Sequence, residues 1–368
     1  MDTLADRLAD RCLELCSISS VTGEEAKICD HVVEWARGLL SPKEITRHGH
    51  SLVLRCPPRG DAGERGEHAS TGRPIIALVG HLDTVPPHEG DPAPSKTRDR
   101  IKGLGSSDMK GGVAVAMTLF EDLCEADIPY ELVLILYERE EGPFLENGLR
   151  TLLEEVPFLR KIDFAVVLEP TDEQVQMGCL GSLHATLSFE GKSAHSARPW
   201  QGRNAITAAG AFLAEMDARE PVDVVAGGLT FREVFSVTLA SGGRFRNVVP
   251  HEFKVNLNYR FAPGKSIETA KQELMKLVGG RAGVSLFDLA PSARVPTENP
   301  HLQHFLEITG RKAGPKQAWT DVAQLSEAGI DAVNCGPGLT SQAHQAREYC
   351  PISSLVAAYE DLRSFLQR

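Results

Sequence analysis

Five side chains in this 368-residue sequence have the chemistry of metal ligands, and most recur in one kind of place. His81 follows the apolar, β-branched run 75–80 and precedes Asp83 by two residues. Glu141, with Glu140 beside it, follows a second such run over 131–137. Glu169 closes a third, 163–168, and His344 comes shortly after a fourth, 332–335, and its Gly336-Pro337-Gly338 turn. Asp108 sits in the glycine-rich stretch 103–112. Two imidazoles and three carboxylates, without a thiolate, suit Zn2+, Co2+ or Mn2+ better than a structural cysteine-bound zinc. One ion rarely takes five protein ligands and keeps a position open for chemistry. Two ions sharing a carboxylate, roughly 3.5–4 Å apart, resolve that. Adjacent acids on an extended chain point to opposite sides. One of Glu140 and Glu141 can therefore bind metal while the other holds a water proton, as metal-assisted hydrolysis needs. A single His-x-Asp passes for a turn, and a single acid pair for a solvated charge cluster. Repetition at successive run ends argues for a site.

The elements that must position these groups follow from the pattern around them. Short apolar runs ended by Gly or Pro read as buried strands, and helices alternate with them. That order predicts an α/β fold with a mostly parallel sheet, whose ligands gather beyond the carboxyl ends of the strands. A helix is expected over 4–15. A second follows a capping signal, Thr22 with Glu25 three residues on, and runs to about Leu40. A strand is expected at 51–55, an exposed polar loop at 57–73, and a helix from beyond Asp108 through Ala114, Leu119 and Leu123. The glycines near Asp108 lack the Gly-Lys-Ser/Thr closure of a nucleotide loop. Gly105 and Gly111 instead leave room for the backbone to bring Asp108 close to another group. From about 180 to 291 the order becomes β-α-β-β-α-β, with strands near 183–189, 229–239 and 253–261 and helices over 204–216 and 266–278. A small ferredoxin-like α+β domain, 180–291, is thus expected to be inserted into a domain made of 1–179 and 292–368.

Composition sets outer bounds. Apolar and charged fractions of 42% and 24% are those of a globular chain,. A net charge of −11 argues against a nucleic-acid partner, which would need clustered Lys and Arg,. No apolar run approaches the length of a membrane span. The amphipathic start, MDTLADRLADRCLELC, lacks the apolar core and cleavage site of a signal peptide,. The eight cysteines are scattered with no Cys-x-x-Cys pair, so a reducing cytoplasm is expected and no cysteine suggests itself as a nucleophile,.

Taken in order, GHLDTVP (80–86), SSDMKGG (106–112), EREEG (138–142), LEPT (168–171) and AH-x-x-x-E (343–348) resemble the motif set of the dinuclear zinc aminoacylase, carboxypeptidase and desuccinylase family of metallopeptidases. The resemblance spans nearly the whole chain, insert included. It implies one metal on His81, Asp108 and Glu169 and a second on Asp108, Glu141 and His344, with Asp108 bridging. Zn2+ is the implied ion, with Co2+ or Mn2+ as alternatives. Asp83 would fix the His81 ring, and Glu140 would be the general base. The insert would act as a lid and homodimerisation domain. His195 would stabilise the tetrahedral oxyanion, reaching across the dimer. Asn247 and Arg260 would hold a substrate carboxylate, and Thr320 would add a hydroxyl contact.

Within that family the runs DFAVVLEPTD, GKSAHSARPWQGRNAI and WTDVAQLSEAGIDAVNCGPG are most similar to succinyl-diaminopimelate desuccinylases of the actinobacterial type. The implied reaction is hydrolysis of N-succinyl-L,L-diaminopimelate, on the lysine and cell-wall route. Acetylornithine deacetylase, or another N-acyl-amino-acid amidohydrolase or dipeptidase, is the alternative, and a non-catalytic metal-binding homologue is the remaining one. One departure stands out. Cys179-Leu180 precede Gly181-Ser182 where other desuccinylases carry an Arg-Arg pair, so one carboxylate contact is missing.

Overall fold

The computed structural model describes residues 3–57 and 72–368. Most of the polar stretch expected as a loop, residues 58–71, lies outside the described residues. The chain divides into two compact units. One comprises 1–177, 296–314 and 324–368, and the other 178–295 and 315–323.

The first unit is built on four parallel strands in the order Glu131–Tyr137, Ile75–His81, Phe164–Pro170 and Ala332–Gly336. All seven residues of Ile75–His81 are buried, as are all of Phe164–Pro170 and Ala332–Gly336. Continuous β-branched runs without alternation are what a strand covered on both faces requires. Among the described residues, Ile45–His48, Ser51–Arg55, Val175–Cys179 and Ala313–Lys316 extend this sheet to eight strands.

Helix Lys110–Leu123 is buried almost all round and lies against the sheet. Its approach depends on Gly112, where a Cβ would stand 2.3 Å from the backbone oxygen of Leu168. Helices Leu4–Cys16 and Ile352–Leu366 pack beside it. The first presents Leu8, Cys12 and Leu15 to the core, and Thr3 caps its start by accepting from Asp6 N–H at 3.2 Å,. A small three-stranded sheet joins Tyr349–Pro351, Arg100–Lys102 and Ser95–Lys96.

The second unit is an antiparallel sheet in the order Val222–Ala226, Leu229–Gly242, Glu252–Phe261, Gly181–Glu190 and Gly283–Ala290. Alternation along Gly181–Glu190 puts Leu183, Ala185, Leu187 and Phe189 into one core with Phe212, Leu274 and Val278 from the helices,. Residues 315–323 gather with this unit because Trp319 Nε1 donates to the Pro291 carbonyl at 3.0 Å and Gln317 to that of Thr230 at 3.2 Å.

Three local expectations give way. Thr22 does not cap the second helix, Ala26–Arg37, because its hydroxyl donates to Asp83 Oδ2 at 2.9 Å. The helix expected over 204–216 is interrupted at Ala209 into Ala205–Ala208 and Gly210–Asp217, next to a glycine, a poor helix former. The insert also gains an edge strand, Val222–Ala226, returned by a Gly227-Gly228 hairpin whose two residues both have positive φ,. Among the described residues no helix is long and apolar enough to cross a membrane, and all eight cysteines are free thiols.

Candidate metal centre

Strand register sets the first donors. Val79 pairs with Val167, so two residues further on His81 and Glu169 stand level. His81 pairs with Tyr137, whose strand runs on into Glu138–Gly142. His81 is fully buried, and its Nδ1–H donates to the Asp83 backbone carbonyl at 3.0 Å. That bond occupies Nδ1 and leaves Nε2 facing Asp108 Oδ1 at 3.4 Å and Glu169 Oε1 at 3.9 Å, able to hold a proton in the metal-free chain or a cation in its place,.

Asp108 comes from the loop between Arg100–Lys102 and Lys110–Leu123, not from a strand end. Gly105 in that loop has φ +76°, and a Cβ there would meet Thr84 Cγ2 at 2.7 Å. Only glycine combines that conformation with that approach. The Asp108–Met109 peptide is cis.

Two triads result. Donor atoms of His81, Asp108 and Glu169 lie within 4.8 Å of one another, and so do those of Asp108, Glu141 and His344. His344 Nε2 stands 2.9 Å from Glu141 Oε2 and 3.5 Å from Asp108 Oδ2. Glu140 groups with His81 and Glu141 on the same criterion. All five candidate ligands and the candidate base therefore meet in one cluster, with Asp108 common to both triads.

So many acids in one place call for positive charge, and in the metal-free chain the imidazoles carry it. The hydrogen bond to Glu141 lifts His344 to about 9. Burial works against a charged His81, but Asp108 and Asp83 outweigh it and hold that ring well above its ordinary value. These residues fit divalent cations: nitrogen and oxygen donors only, with each Nε2 aimed at carboxylates.

Asp83 does more than stand beside the His81 ring. Its carboxylate stands 3.5 Å from His81 Nδ1, while the backbone carbonyl makes the shorter contact. Its close contacts are the Glu140 N–H at 2.9 Å on Oδ1, and the Glu141 N–H at 3.0 Å and Thr22 hydroxyl at 2.9 Å on Oδ2. Although burial opposes the charge, His81 and the two N–H groups keep its pKa below the usual value. The Asp83 carbonyl makes the shorter contact to the imidazole, and its side chain, 3.5 Å from the same nitrogen, also holds the loop bearing the two acids.

The other candidates lie in the second unit. His195 is exposed at the end of the short strand Ala194–His195. Its Nδ1 accepts from Ala197 N–H at 3.0 Å, so a neutral ring carries its proton on Nε2. The Asn247 carbonyl accepts from Ser196 N–H at 2.9 Å. Arg260 Nε donates to Asn258 Oδ1 at 3.0 Å, and its two terminal nitrogens make no hydrogen bond among the described residues. Thr320 is buried, and its hydroxyl has no hydrogen-bond partner among the described residues. A cavity of about 600 Å³ in this unit, lined by Phe235, Tyr259, Lys265 and Glu273 among others, includes none of these candidates. Its Lys265 is already paired with Glu233 at 2.7 Å and Glu273 at 2.8 Å, so the cleft is not read as the reactive site.

Sequence reasoning passed over Glu348. It is buried, and its carboxylate accepts three backbone N–H groups, from Gly105, Ser107 and Asp108. Burial pushes it up to about 7 against those donors. The signal was present in the last position of AH-x-x-x-E, but an acid with no strand end before it suggested no role.

A family model described as Peptidase family M20/M25/M40 matches residues 77–368. A protein of Mycobacterium tuberculosis carrying the name DapE is 34% identical over 353 residues, covering 96% of each chain. The succinyl-diaminopimelate desuccinylase of Corynebacterium glutamicum is 32% identical over 360 residues, covering 96% of this chain and 94% of that one. Among solved structures, aminopeptidase PepT from Bacillus cereus matches with a TM-score of 0.77 at 20% identity, over 99% of this chain and 98% of that one. At that identity the likeness speaks to the fold.

Proposed function

The chain belongs to peptidase family M20/M25/M40, a family of metal-dependent hydrolases, and on that premise we propose that it cleaves an N-acyl amide at the His81–Asp108–His344 centre. The favoured substrate is N-succinyl-L,L-diaminopimelate, released as succinate and L,L-diaminopimelate. Similarity to the desuccinylase of Corynebacterium glutamicum over nearly the full length supports that choice. The observation that carries the reaction type is the sharing of Asp108 between two triads, with Glu140 beside them.

In this reading His81, Asp108 and Glu169 hold one ion and Asp108, Glu141 and His344 the other, with Zn2+ favoured over Co2+ and Mn2+ for its match to the donor set. When bound, the ions supply Lewis acidity to the scissile carbonyl and lower the pKa of the attacking water. Glu140, anchored through its N–H on Asp83 Oδ1, takes the water proton and passes it to the leaving nitrogen,. His195 donates from Nε2 to the developing oxyanion. Arg260 offers its terminal nitrogens to a substrate carboxylate, with Asn247 and Thr320 adding polar contacts. A cytoplasmic homodimer formed through the insert completes the reading; the free thiols are consistent with that compartment.

The second reading, a broader N-acyl-amino-acid amidohydrolase, is favoured by Cys179 and Leu180. Both are buried, and neither can bind a carboxylate as an arginine pair does. Steady-state rates of the Zn2+-loaded protein on N-succinyl-L,L-diaminopimelate and N-acetylornithine separate the two. A kcat/KM at least a hundredfold higher for the succinyl substrate is expected. Equal or reversed values would overturn the assignment of substrate while leaving the chemistry, and no turnover of any N-acyl amino acid would overturn the chemistry.

A further inference from the structure

Of the five candidate ligands, His81 and Glu169 lie within parallel strands whose ladders fix them, and Glu141 follows a third strand on a loop tied to Asp83. The two others, Asp108 and His344, sit on loops, and Asp108 must face both triads at once. His344 itself has φ 58°, a conformation that a non-glycine residue keeps only where its surroundings hold it. Some contact has to tie these two loops together.

Glu348 is that contact. It lies four residues after His344, and its carboxylate points into the Asp108 loop. Oε2 accepts from Gly105 N–H at 2.7 Å, and Oε1 from Ser107 N–H at 2.7 Å and Asp108 N–H at 2.9 Å. The small three-stranded sheet sets this up. Tyr349 pairs with Lys102, the Glu348 carbonyl accepts from Gly103 N–H at 3.0 Å, and Ser107 Oγ donates to the Tyr349 carbonyl at 2.8 Å. A buried carboxylate receiving three N–H groups from one loop is a rigid, directional clamp, since charge-assisted bonds of this kind are short and strong. Its bonds end on the backbone of Asp108 itself, while its own chain leads back in four residues to His344.

We infer that Glu348 is a positioning residue: it sets Asp108 against His344, so that the second triad forms with a geometry ready for a cation. The inference rests on the dinuclear reading above. It assigns Glu348 no contact with substrate or ion. Partners of metal ligands typically alter metal affinity or activity about 10–100-fold when removed.

Glu348→Gln tests it with little change of shape. One amide nitrogen then faces a backbone N–H that formerly had an acceptor. Metal-free wild type and E348Q are titrated with Co2+, following the visible absorption of the bound ion and the heat of binding, with near-ultraviolet circular dichroism of the metal-free proteins to check folding. Wild type is expected to take two ions and E348Q to take the first nearly as wild type does, with the second weakened about 10–100-fold and its absorption band altered. A folded E348Q that binds both ions with wild-type affinity and spectrum would overturn the proposal. Should E348Q not fold, Glu348→Asp, which keeps the charge but draws the carboxylate back from the Gly105, Ser107 and Asp108 N–H groups, is expected to weaken the second ion several-fold, and unchanged binding would overturn the proposal. Wild type that takes up no second ion would overturn the dinuclear reading itself, a result distinct from either of these.

Discussion

Asp83→Asn separates what the Asp83 side chain does from what its backbone does. The imidazole of His81 is held by the Asp83 carbonyl, which the substitution leaves in place. The side chain has two oxygens serving the Glu140 N–H, the Glu141 N–H and the Thr22 hydroxyl. Asparagine keeps one oxygen. Whichever way its amide turns, its NH2 group faces the N–H of either Glu140 or Glu141. Thr22 can rotate its hydroxyl to accept, but a backbone N–H cannot. One buried donor is then left without an acceptor, at a cost of about 1–3 kcal/mol. The loop bearing the two acids should shift with it, weakening metal binding or turnover roughly 10–100-fold. Denaturant unfolding of the metal-free proteins checks the first figure, and Co2+ titration with steady-state turnover the second. The location of the effect can be tested too. If the side chain acts through Glu141, then D83N should cost the metal little in a His344→Ala background, where the second triad is already broken. An Asp83→Asn protein as stable and active as wild type would refute the reasoning. So would a loss of metal affinity that is undiminished in the His344→Ala background.

Glu140→Gln should lower kcat roughly 10²–10⁴-fold while metal content stays at two ions per chain, since it removes a base and no proposed ligand; unchanged turnover rejects that role. A cation binding at His344 must displace the proton that Glu141 holds there, with pKa about 9 against an ordinary 6.5. Metal affinity should therefore rise with pH by up to about tenfold per unit and level off above about 9, with proton release seen by calorimetry in buffers of different ionisation enthalpy. Because the folded pKa is the higher one, the same pair stabilises the metal-free chain fully below about 6.5. That contribution is lost as pH rises through 9, a small effect given that the His344 side chain is 56% exposed,. A metal-free Tm that rises over this window would contradict the sign. Gly112→Ala should destabilise the chain by about 1–3 kcal/mol or more, because the new methyl would press on the backbone oxygen of Leu168 at 2.3 Å and neither helix nor strand can yield freely,.

The parts of the centre visible in the sequence are those whose position follows from local order. A buried strand announces itself by its apolar run, and the residue after its end has nowhere to go but the edge of the sheet, so His81, Glu140, Glu141 and Glu169 could be placed without coordinates. Asp108 and His344 could be named as candidates from their type and neighbours, but their assignment to particular triads came only through resemblance, since no periodicity fixes a loop. The misreadings share a cause. Thr22 and Glu25 have the spacing of a helix cap, yet the Thr22 hydroxyl goes to Asp83 and Glu25 Oε1 accepts from Gly23 and Arg139 N–H groups. A local rule lost to a partner far along the chain. Val222–Ala226 was overlooked because two exposed valines at a sheet edge carry little alternation, although Gly227-Gly228 marks a tight hairpin.

Glu348 shows why the supporting contacts were the least legible part. Its partners are backbone N–H groups, which every residue but proline possesses, so nothing in the identities of residues 105, 107 and 108 points to an acid 240 positions away. What the sequence does carry is an imbalance. An acid placed where the fold buries it must find donors, and a loop crowded with glycine and serine has backbone N–H groups to offer. Side chains that touch the chemistry are chosen for their type and can be read from it. Those that hold the first group in place are chosen for where their charge ends up, and that becomes visible only once the loops have been folded against each other.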